Sequence, residues 1–311
     1  MVPLHVVIGI INNSQGEILL THRPKQVHQG DLWEFPGGKV EPGETVLAAL
    51  NRELQEEIAV TIKQARPLIR ITHTYLDREV LLDVWQIEQW QGQPWGCEGQ
   101  LMTWCSPNDL INKQFPAANT PIITAIQLPK LYLITPEPQS KNFFYQLESC
   151  LDAGITLVQM RAKQLSELSY CHYAEKSLTL CKRYQAKLLV NSTLKIAVSV
   201  GADGIHLNTE RLFMNLEIPN NLLVASSCHS MAEIKQANLI KTNFIVISPV
   251  HKTTSHPNSS PLGWQQLFQL TEQANCPAFA LGGMQISDME IATAHGAQGI
   301  AAISGLWVQK T

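Results

Sequence analysis

The sequence predicts two domains of different fold class, an α+β domain over residues 1–128 and an α/β domain with a (β/α)₈ barrel over residues 130–311. Three observations predict this division. An acidic amphipathic helix follows a glycine-rich loop in the first part, eight short apolar runs alternate with helical stretches in the second, and Pro129 ends a helix between them. A chain of 311 residues is long enough for two separate cores.

Composition and charge limit the classes of partner. With 45% hydrophobic and 16% charged residues and a net charge of −3, the chain has no overall positive charge that would indicate binding to polymeric nucleic acid, whereas a metal could carry the phosphates of free nucleotides. No basic segment precedes an apolar one near the start, so we expect no signal peptide, no membrane span and a cytoplasmic location. The seven scattered cysteines are expected to be reduced thiols. The oligomeric state is not predicted.

Alternating apolar residues and polar turns predict the strands of the first domain. These strands are predicted at residues 4–11, 17–22, 69–76, 79–90 and 100–105, and a closing helix is predicted at residues 122–128. A loop rich in His, Gln and Gly lies before the glycine-rich run that leads into the main helix. The acidic helix is therefore expected among the strands of a mixed domain.

The main helix of the first domain is predicted at residues 44–57, which contain no Gly or Pro and repeat apolar side chains at spacings of three and four. It follows the turn-forming pair Pro42 and Gly43. Glu44 is expected in its first turn, where the positive end of the helix dipole favours a carboxylate.

Three carboxylates crowd one face of this helix, because Glu53, Glu56 and Glu57 stand at positions i, i+3 and i+4. Like charges at this spacing are destabilising by roughly a few tenths of a kcal/mol per pair, and Arg52 offsets only part of that repulsion. A divalent cation would resolve it, and carboxylate oxygens suit Mg²⁺ or Mn²⁺. A solvated acidic surface is the alternative interpretation.

Residues 38–60 as a whole resemble the Nudix signature, G-x5-E-x7-R-E-U-x-E-E-x-G-U, in which U is aliphatic. The matching positions are Gly38, Glu44, Arg52, Glu53, Leu54, Glu56, Glu57 and Val60. Ala59 departs from the pattern, which has Gly there. If that position needs a left-handed backbone, Ala costs roughly 1 kcal/mol.

The resemblance extends over residues 1–128 to the MutT type of Nudix hydrolase, through residues 33–39, 94–100 and 115–119. That family cleaves 8-oxo-dGTP to its monophosphate and pyrophosphate, which implies a metal-dependent enzyme of mutation avoidance in DNA replication and repair. The metal ligands implied are Glu53, Glu56, Glu57, Glu98 and a backbone carbonyl of Gly37 or Gly38. The catalytic residues implied are Glu53, Glu56, Arg52 and Glu44. The substrate contacts implied are Arg23, Phe35 and Asn119.

Two of these roles have alternatives. Glu53 is the first choice as general base, but Glu56, Glu44 and Glu98 compete, because the sequence does not place the water. Asn119 could recognise the oxidised base, since one amide can donate to O6 and accept from N7–H only in 8-oxoguanine. As a polar residue before a predicted helix, Asn119 could instead be a helix cap.

The second domain is predicted as a TIM barrel from eight apolar runs of strand length. The runs are residues 131–135, 155–160, 187–190, 204–207, 222–226, 243–248, 278–281 and 299–303. Small residues recur at 152–155, 201–205 and 296–300, as expected where a helix turns into the next strand. Gly282, Gly283 and Ser304 stand where such barrels commonly bind phosphate, with turn formation as the alternative role of the glycines.

This domain resembles thiamine-phosphate synthase and its TenI relatives, through residues 131–135, 159–163, 201–207, 248–250 and 281–283 among others. The resemblance implies contacts to a pyrimidine substrate and its pyrophosphate from Gln159, Arg161, Lys163 and Asn191. It implies contacts to a thiazole phosphate from Thr253, Ser255, Gly283, Ile303 and Ser304. Small-molecule phosphates are therefore the expected ligands.

Departures from the synthase pattern argue against full synthase activity. Ser192 and Arg211 stand where the synthases place metal-binding Asp residues, and His256 replaces a loop Lys. Pro249 stands where TenI-type tautomerases have a His. The barrel is therefore expected to be a degenerate synthase that still binds phosphate, and Glu210 is a substitute carboxylate to consider. The alternatives are a Nudix hydrolase acting on a thiamine-pathway pyrophosphate, and a non-catalytic barrel that regulates its neighbour.

Overall fold

The computed structural model describes residues 3–26, 29–76, 78–138, 141–252 and 260–307. The chain divides into two compact units, Met1–Leu128 and Pro129–Thr311. No helix within these described ranges is long and apolar enough to cross a membrane. The predicted ligand contacts Thr253 and Ser255 and the variant position His256 lie outside the described residues.

The first unit contains two small sheets and two α-helices. Its strands are β1 (Leu4–Ile11), β2 (Ile18–His22), β3 (Trp33–Glu34), β4 (Gly37–Lys39), β5 (Thr61–Thr74), β6 (Glu79–Gln91) and β7 (Met102–Cys105), and its α-helices are α1 (Val46–Ile58) and α2 (Thr120–Gln127). One sheet has the order β4-β1-β6-β5 and the other β3-β2-β7. The β1–β6 pair is parallel, and every other pair is antiparallel. The predicted α+β class is confirmed.

Strand β1 is buried on both faces, because successive side chains of a strand point to opposite sides. Val7 and Ile11 pack in the cluster that contains the apolar face of α1. Ile8 and Ile10 pack in a second cluster, which also holds Ile122 of α2. The sheet is thereby covered by α1 on one side, which places the acidic face of α1 next to β4.

Helix α1 begins later than the sequence predicts. Thr45 is its N-cap and accepts a hydrogen bond from the Ala48 N–H at 3.2 Å. Glu44 therefore lies before the helix, and its predicted place in the first turn is wrong. The helix ends at Ala59 in the left-handed conformation, with φ 56° and ψ 33°. Ala59 therefore carries the cost of roughly 1 kcal/mol that is expected for an alanine in the left-handed conformation.

Strand β5 begins eight residues before the predicted strand at residues 69–76 and ends two residues earlier. It lies at the edge of its sheet, where Pro67 can pair with Trp85 of β6 without providing an N–H group. Register shifts occur between Ile62 and Gln64, between Gln64 and Ala65, and between Pro67 and Ile69. Bulges of this kind break the alternation by which a strand is recognised in a sequence.

The second unit is a closed barrel of eight parallel strands, with neighbours in chain order from β8 to β15. The strands are β8 (Leu131–Ile134), β9 (Leu157–Met160), β10 (Lys187–Val190), β11 (Gly204–Leu207), β12 (Leu223–Cys228), β13 (Phe244–Ile247), β14 (Ala278–Leu281) and β15 (Gly299–Ala302). The α-helices are α3 (Phe143–Asp152), α4 (Glu167–Arg183), α5 (Leu194–Ser199), α6 (Thr209–Leu212), α7 (Met231–Leu239), α8 (Gly263–Thr271) and α9 (Met289–Ala294). The predicted barrel is confirmed.

Alternate residues of the barrel strands form two buried layers. Leu133 of β8 packs outward with residues of the helices. The adjacent Tyr132 is fully buried and contacts Phe244 and Phe279, at ring-centroid distances of 5.3 and 5.7 Å. Three aromatic rings thus fill the interior of the barrel, and the chemistry is left to residues that follow the carboxyl ends of the strands.

Candidate functional site

Arg52 ties the acidic residues around α1 together. Its guanidinium donates two hydrogen bonds to Glu44, at 2.8 and 3.0 Å, and one to the Lys39 carbonyl at 3.0 Å. It also donates to Glu53 at 2.9 Å and to Glu56 at 3.2 Å. The hydrogen bonds from Arg52 lower the pKa of Glu44, and those to Glu44 and Glu53 raise the pKa of Arg52. The predicted catalytic residues therefore lie in one hydrogen-bonded group.

Glycines of β4 allow the Glu53 carboxylate to approach the backbone. A Cβ atom added at Gly38 would overlap the Glu53 carboxylate, and one added at Gly37 would overlap the Val7 carbonyl of β1. Gly37 also has φ 150°. The glycine-rich run before α1 is thus required by close packing of a carboxylate and a neighbouring strand against β4.

Glu57 is partly buried at the carboxyl end of α1, next to Gly37 of β4. Its carboxylate accepts a hydrogen bond from the Gly37 N–H at 3.1 Å. Burial raises the pKa of Glu57 to about 8, and the nearby carboxylates of Glu34, Glu53 and Glu98 raise it further against the lowering effect of that hydrogen bond. Negative charge is therefore in excess at this position, and added positive charge would relieve it.

A loop over residues 94–100 brings Glu98 to the end of α1. The Cys97 N–H and the Gln100 side-chain amide each donate to the Glu57 carbonyl at 2.9 Å. The Gln100 side chain also accepts from the Glu98 N–H at 2.9 Å. Because carbonyls in the last turn of a helix lack helical partners, this loop both caps α1 and places the Glu98 carboxylate near that of Glu57.

The donor atoms fit a hard divalent cation, since carboxylate oxygens are the preferred ligands of Mg²⁺ and Mn²⁺. Among the described residues, no three His, Cys, Asp or Glu side chains converge on one metal position. The hydrogen bonds give the reason, because Arg52 holds Glu53 and Glu56 while the Gly37 N–H holds Glu57. A bound cation would compete with these donors for the same oxygens.

Two of the predicted substrate contacts are engaged with the protein. Arg23 forms an ion pair and a hydrogen bond with Glu34, whose pKa is raised by burial although Arg23 lowers it. Phe35 is only 3% exposed and stacks on Phe115, with ring centroids 5.4 Å apart. The Phe35 ring is thus part of the core in this structure, and its contact with a substrate stays a prediction.

Asn119 lies at the start of α2, next to Ala118, to which Tyr75 is hydrogen-bonded. Asn119 is 6% exposed and occupies the N-cap position of α2, but its side chain makes no capping hydrogen bond. The alternative role as a side-chain cap is therefore wrong. Within the described ranges the Asn119 amide has no hydrogen-bond partner, whereas the Tyr75 hydroxyl bonds to the Ala118 backbone. Tyr75 was missed in the sequence because a lone aromatic residue near a turn carries no functional pattern.

The barrel holds a cavity of about 1080 Å³. Its lining includes all the described residues predicted to contact ligand in this unit: Gln159, Arg161, Lys163, Asn191, Gly283, Ile303 and Ser304. Gly282 and Gly283 have φ values of 108° and 71°, and a Cβ atom at Gly282 would lie 2.8 Å from Pro249 Cα. The glycines after β14 thus have both a turn role and a place at the cavity.

A chain of hydrogen bonds connects the barrel interior to this cavity. Gln159 donates to the Tyr132 hydroxyl at 3.2 Å, and that hydroxyl lies 3.2 Å from His206 Nδ1. His206 Nε2 lies 2.8 Å from Ser227 Oγ. Burial lowers the pKa of His206 to about 3, and the charges of Arg211 and His229 add to the effect. His206 is therefore neutral at physiological pH, and neither Tyr132, His206 nor Ser227 was singled out in the sequence.

The residues that depart from the synthase pattern line the same cavity. Arg211 donates to the Asn191 side-chain carbonyl at 3.3 Å, and Ser192 lies beside Asn191 in the chain. Glu210 lines the cavity as well, yet the described part of the barrel contains no group of three His, Cys, Asp or Glu side chains suited to a metal. The guanidinium of Arg211 and the hydroxyl of Ser192 therefore stand in this part of the cavity.

His229 and Glu233 form a second polar group at the cavity. Glu233 accepts hydrogen bonds from the His229 N–H at 2.7 Å, from Ser230 Oγ at 3.0 Å and from Thr209 Oγ1 at 2.7 Å, and it lies 3.2 Å from His229 Nδ1. These hydrogen bonds lower the pKa of Glu233 against the effect of its burial. Ser230 is the N-cap of α7 and Glu233 stands three residues on, so capping explains this arrangement.

Comparisons with known proteins match the two units separately. A family model described as a NUDIX domain matches residues 7–125, and one described as thiamine monophosphate synthase matches residues 131–306. The 8-oxo-dGTP diphosphatase of Escherichia coli is 40% identical over 127 residues, which cover 41% of this chain and 98% of that protein. A putative thiamine-phosphate synthase 2 of Aquifex aeolicus is 36% identical over 182 residues, which cover 58% of this chain and 98% of that protein.

A solved structure supports the fold of the second unit. Thiamine phosphate pyrophosphorylase from Pyrococcus furiosus superposes with a TM-score of 0.52 at 24% identity, covering 62% of this chain and 91% of that one. At this identity the likeness concerns the fold alone. Together with the acidic helix of the first unit and the closed barrel of the second, these matches show that the chain belongs to the Nudix hydrolases through residues 7–125 and to the thiamine monophosphate synthase family through residues 131–306.

Proposed function

We propose that residues 1–128 hydrolyse 8-oxo-dGTP to 8-oxo-dGMP and pyrophosphate in the presence of Mg²⁺, and so keep the oxidised nucleotide out of DNA. The observation that carries this proposal is the group of carboxylates beside the β4 glycines, where burial and then the neighbouring charges of Glu34, Glu53 and Glu98 raise the pKa of Glu57 to about 8. The 40% identity to the Escherichia coli 8-oxo-dGTP diphosphatase supports this choice of substrate.

Four carboxylates, those of Glu53, Glu56, Glu57 and Glu98, would hold the divalent cation. When bound, Mg²⁺ would neutralise the triphosphate and lower the pKa of the attacking water. Glu53 is the proposed general base, because it lies against Gly38 and receives a hydrogen bond from Arg52 that fixes its orientation. Glu44 supports this role indirectly, by accepting two hydrogen bonds from Arg52.

Asn119 is the proposed reader of the oxidised base. The residue is largely buried, but its amide has no hydrogen-bond partner in the described part of the chain, so the amide can donate to O6 and accept from N7–H of 8-oxoguanine. With guanine, the amide carbonyl would meet the N7 acceptor instead. Sites of this kind can reject the wrong analogue by about 10⁴-fold when a buried polar group is left unpaired.

A turnover panel tests the proposal. The full chain is assayed with 8-oxo-dGTP, dGTP and thiamine diphosphate, each with Mg²⁺, with Mn²⁺ and with a chelator. We expect the highest kcat/KM for 8-oxo-dGTP, release of pyrophosphate, and no turnover in chelator. Higher kcat/KM for thiamine diphosphate would instead support hydrolysis of a thiamine-pathway pyrophosphate.

For the barrel we propose binding of a phosphorylated thiazole or pyrimidine without synthesis of thiamine phosphate. The observation that favours this second function is the lining of the cavity, where Arg211 and Ser192 stand and no described carboxylate group is suited to hold a metal. Departure of pyrophosphate in a synthase develops negative charge that needs such a cation. Calorimetry with thiazole phosphate, paired with a product assay, tests both halves, and metal-dependent formation of thiamine phosphate would contradict the proposal.

A further inference from the structure

The barrel cavity has an excess of positive side chains. Arg161, Lys163, Arg211 and Lys252 line it, against the two carboxylates of Glu167 and Glu210. Arg161 approaches Glu137 only to 4.0 Å, and that carboxylate already accepts hydrogen bonds from the backbone of residues 163 and 164. Over the described ranges, Lys163, Arg211 and Lys252 form no ion pair. The cavity is therefore suited to an anion.

Three of these cations share one side of the barrel rim. Arg161 and Lys163 follow β9, and Arg211 follows β11, while Asn191 follows the strand between them, β10. The glycines after β14 and Ser304 after β15 lie on the opposite side, because the strands are arranged around the barrel in chain order. The positive side chains thus form a separate group that faces the predicted phosphate cradle across the cavity.

A chain of hydrogen bonds leads from the barrel interior through Gln159 and Asn191 to Arg211. The Gln159 amide donates to the Tyr132 hydroxyl, which lies 3.2 Å from His206 Nδ1, and His206 Nε2 lies 2.8 Å from Ser227 Oγ. The side-chain carbonyl oxygen of Gln159 accepts a hydrogen bond from the Asn191 amide at 3.2 Å.

One N–H of the Asn191 amide makes this bond, and the Asn191 side-chain carbonyl accepts from Arg211 at 3.3 Å. A guanidinium has five N–H donors, and across the described chain this hydrogen bond is the one that the Arg211 side chain makes. The other donors are available to a ligand. The guanidinium is therefore both oriented by the protein and still able to bind an anion.

We propose that Arg211 is the built-in cation of this cavity, and that with Arg161 and Lys163 it binds a diphosphate group without a divalent metal. The proposal rests on the proposed binding of a phosphorylated ligand by the barrel. It adds that the ligand carries a diphosphate group and that Arg211 holds this group. Three positive side chains exceed what one phosphate needs, and Arg pairs with phosphate oxygens in a bidentate way. A fixed guanidinium also repels a divalent cation at the same place.

Calorimetry on the full chain in EDTA tests the proposal, with sodium pyrophosphate as the probe. We expect the unmodified protein to bind, Arg211→Ala to bind about ten- to hundredfold more weakly, and Arg211→Lys to fall between them. Arg183→Ala is the matched control, because Arg183 is an exposed arginine that pairs with Glu148 on the barrel's outer helices. A double variant, Ser192→Asp with Arg211→Asp, should lose binding in EDTA and regain it with Mg²⁺.

Each other outcome has a definite meaning. Equal affinity of Arg211→Ala and the unmodified protein for pyrophosphate would overturn the role of Arg211, and so would a requirement for Mg²⁺ in the unmodified protein. Binding of thiazole phosphate that survives in Arg211→Ala would leave the barrel's proposed function standing. Orthophosphate binding as tightly as pyrophosphate would overturn the diphosphate. Methyl diphosphate distinguishes the source: tighter binding than pyrophosphate supports an organic diphosphate, and weaker binding supports free pyrophosphate. Thermal melting confirms that each variant is folded.

Discussion

The acidic face of α1 and the basic side of the barrel cavity both lie where a phosphorylated ligand is proposed to bind, yet their charges are opposite. In the first unit Glu53, Glu56 and Glu57 gather around Arg52 and the Gly37 N–H. In the barrel Arg211 extends from α6 with an amide as its partner. Under the proposed functions, the first site would depend on a cation from solution, whereas the second contains the positive charge of Arg211.

Electrostatic magnitudes show why this difference matters. Two like charges about 4 Å apart repel by about 4 kcal/mol at an effective dielectric constant of 20. A carboxylate site can reduce this repulsion by protonation or by binding a metal, and the pKa of Glu57 is raised by burial and, to a smaller extent, by the neighbouring carboxylates. An arginine has no such option because it stays protonated, so the barrel site is permanently positive. Activity should therefore depend on metal in one unit, and binding should not in the other.

The largest expected effect tests the acidic half of this comparison. Replacing Glu53 with Gln removes the proposed base and a metal ligand, and should lower kcat for 8-oxo-dGTP by roughly 10²- to 10⁴-fold. The fold should persist, since the amide keeps the size of the side chain and relieves repulsion. Steady-state kinetics and a thermal melt measure both. Turnover near that of the unmodified protein would remove this helix as the catalytic site.

A second variant asks whether the acidic site has the proposed base selectivity. Asn119→Ala removes a buried amide that has no capping role. It should reduce the ratio of kcat/KM for 8-oxo-dGTP over dGTP by roughly 5- to 150-fold, the equivalent of about 1–3 kcal/mol for a bidentate base contact. The loss should come mainly from a higher KM for the oxidised nucleotide. An unchanged ratio would show that another residue reads the base.

Local patterns in the sequence carry much of this architecture. Strand β1 and the barrel strands β10, β11 and β14 have the predicted bounds, because apolar runs between turn residues depend on neighbours in the chain. The acidic group on α1 also follows from helical spacing alone. These features need no knowledge of what packs against them.

Other features depend on contacts distant in sequence. Phe35 lies in residues 33–39, which predicted a contact with substrate, but only the approach of Phe115 shows that its ring is buried. The bond between Tyr132 and His206 joins residues 74 positions apart, and no spacing rule predicts it. Arg211 could be recognised as a departure from a family pattern, whereas its hydrogen bond to Asn191 required the barrel to be closed.

The stability of the barrel is expected to depend on pH through His206. The pKa of His206 is lowered to about 3 from an ordinary value near 6.5, so between these values the unfolded state binds a proton that the folded state does not. Its contribution to stability is thus present above pH 6.5 and lost as the pH falls towards 3, by about 1.4 kcal/mol per pH unit. Burial is the main cause, and the facing charges are those of Arg211 and His229.

His206→Gln should remove this one-proton slope, while His172→Gln, at an exposed position on α4, should keep it. Urea unfolding between pH 3 and 7, followed by hydrogen exchange of peptides from the barrel, separates the two units. The same slope in both variants would show that His206 is not the group responsible.

The smallest expected effect concerns the backbone that ends the acidic helix. Ala59 has φ 56° and ψ 33°, a conformation that costs an L-residue roughly 1 kcal/mol and that Gly adopts freely. Ala59→Gly should therefore stabilise the first unit by about 0.5–1 kcal/mol, which corresponds to a rise in Tm of roughly 2–5 °C. Ala48→Gly is the matched control, because Ala48 is exposed within α1 and the same change there should destabilise by about 1 kcal/mol. A higher Tm for Ala59→Gly together with a lower Tm for Ala48→Gly would establish that Ala59 strains the end of the helix. A lower Tm for both variants would mean that the loop over residues 94–100, which is hydrogen-bonded to the last turn, already compensates for the left-handed alanine.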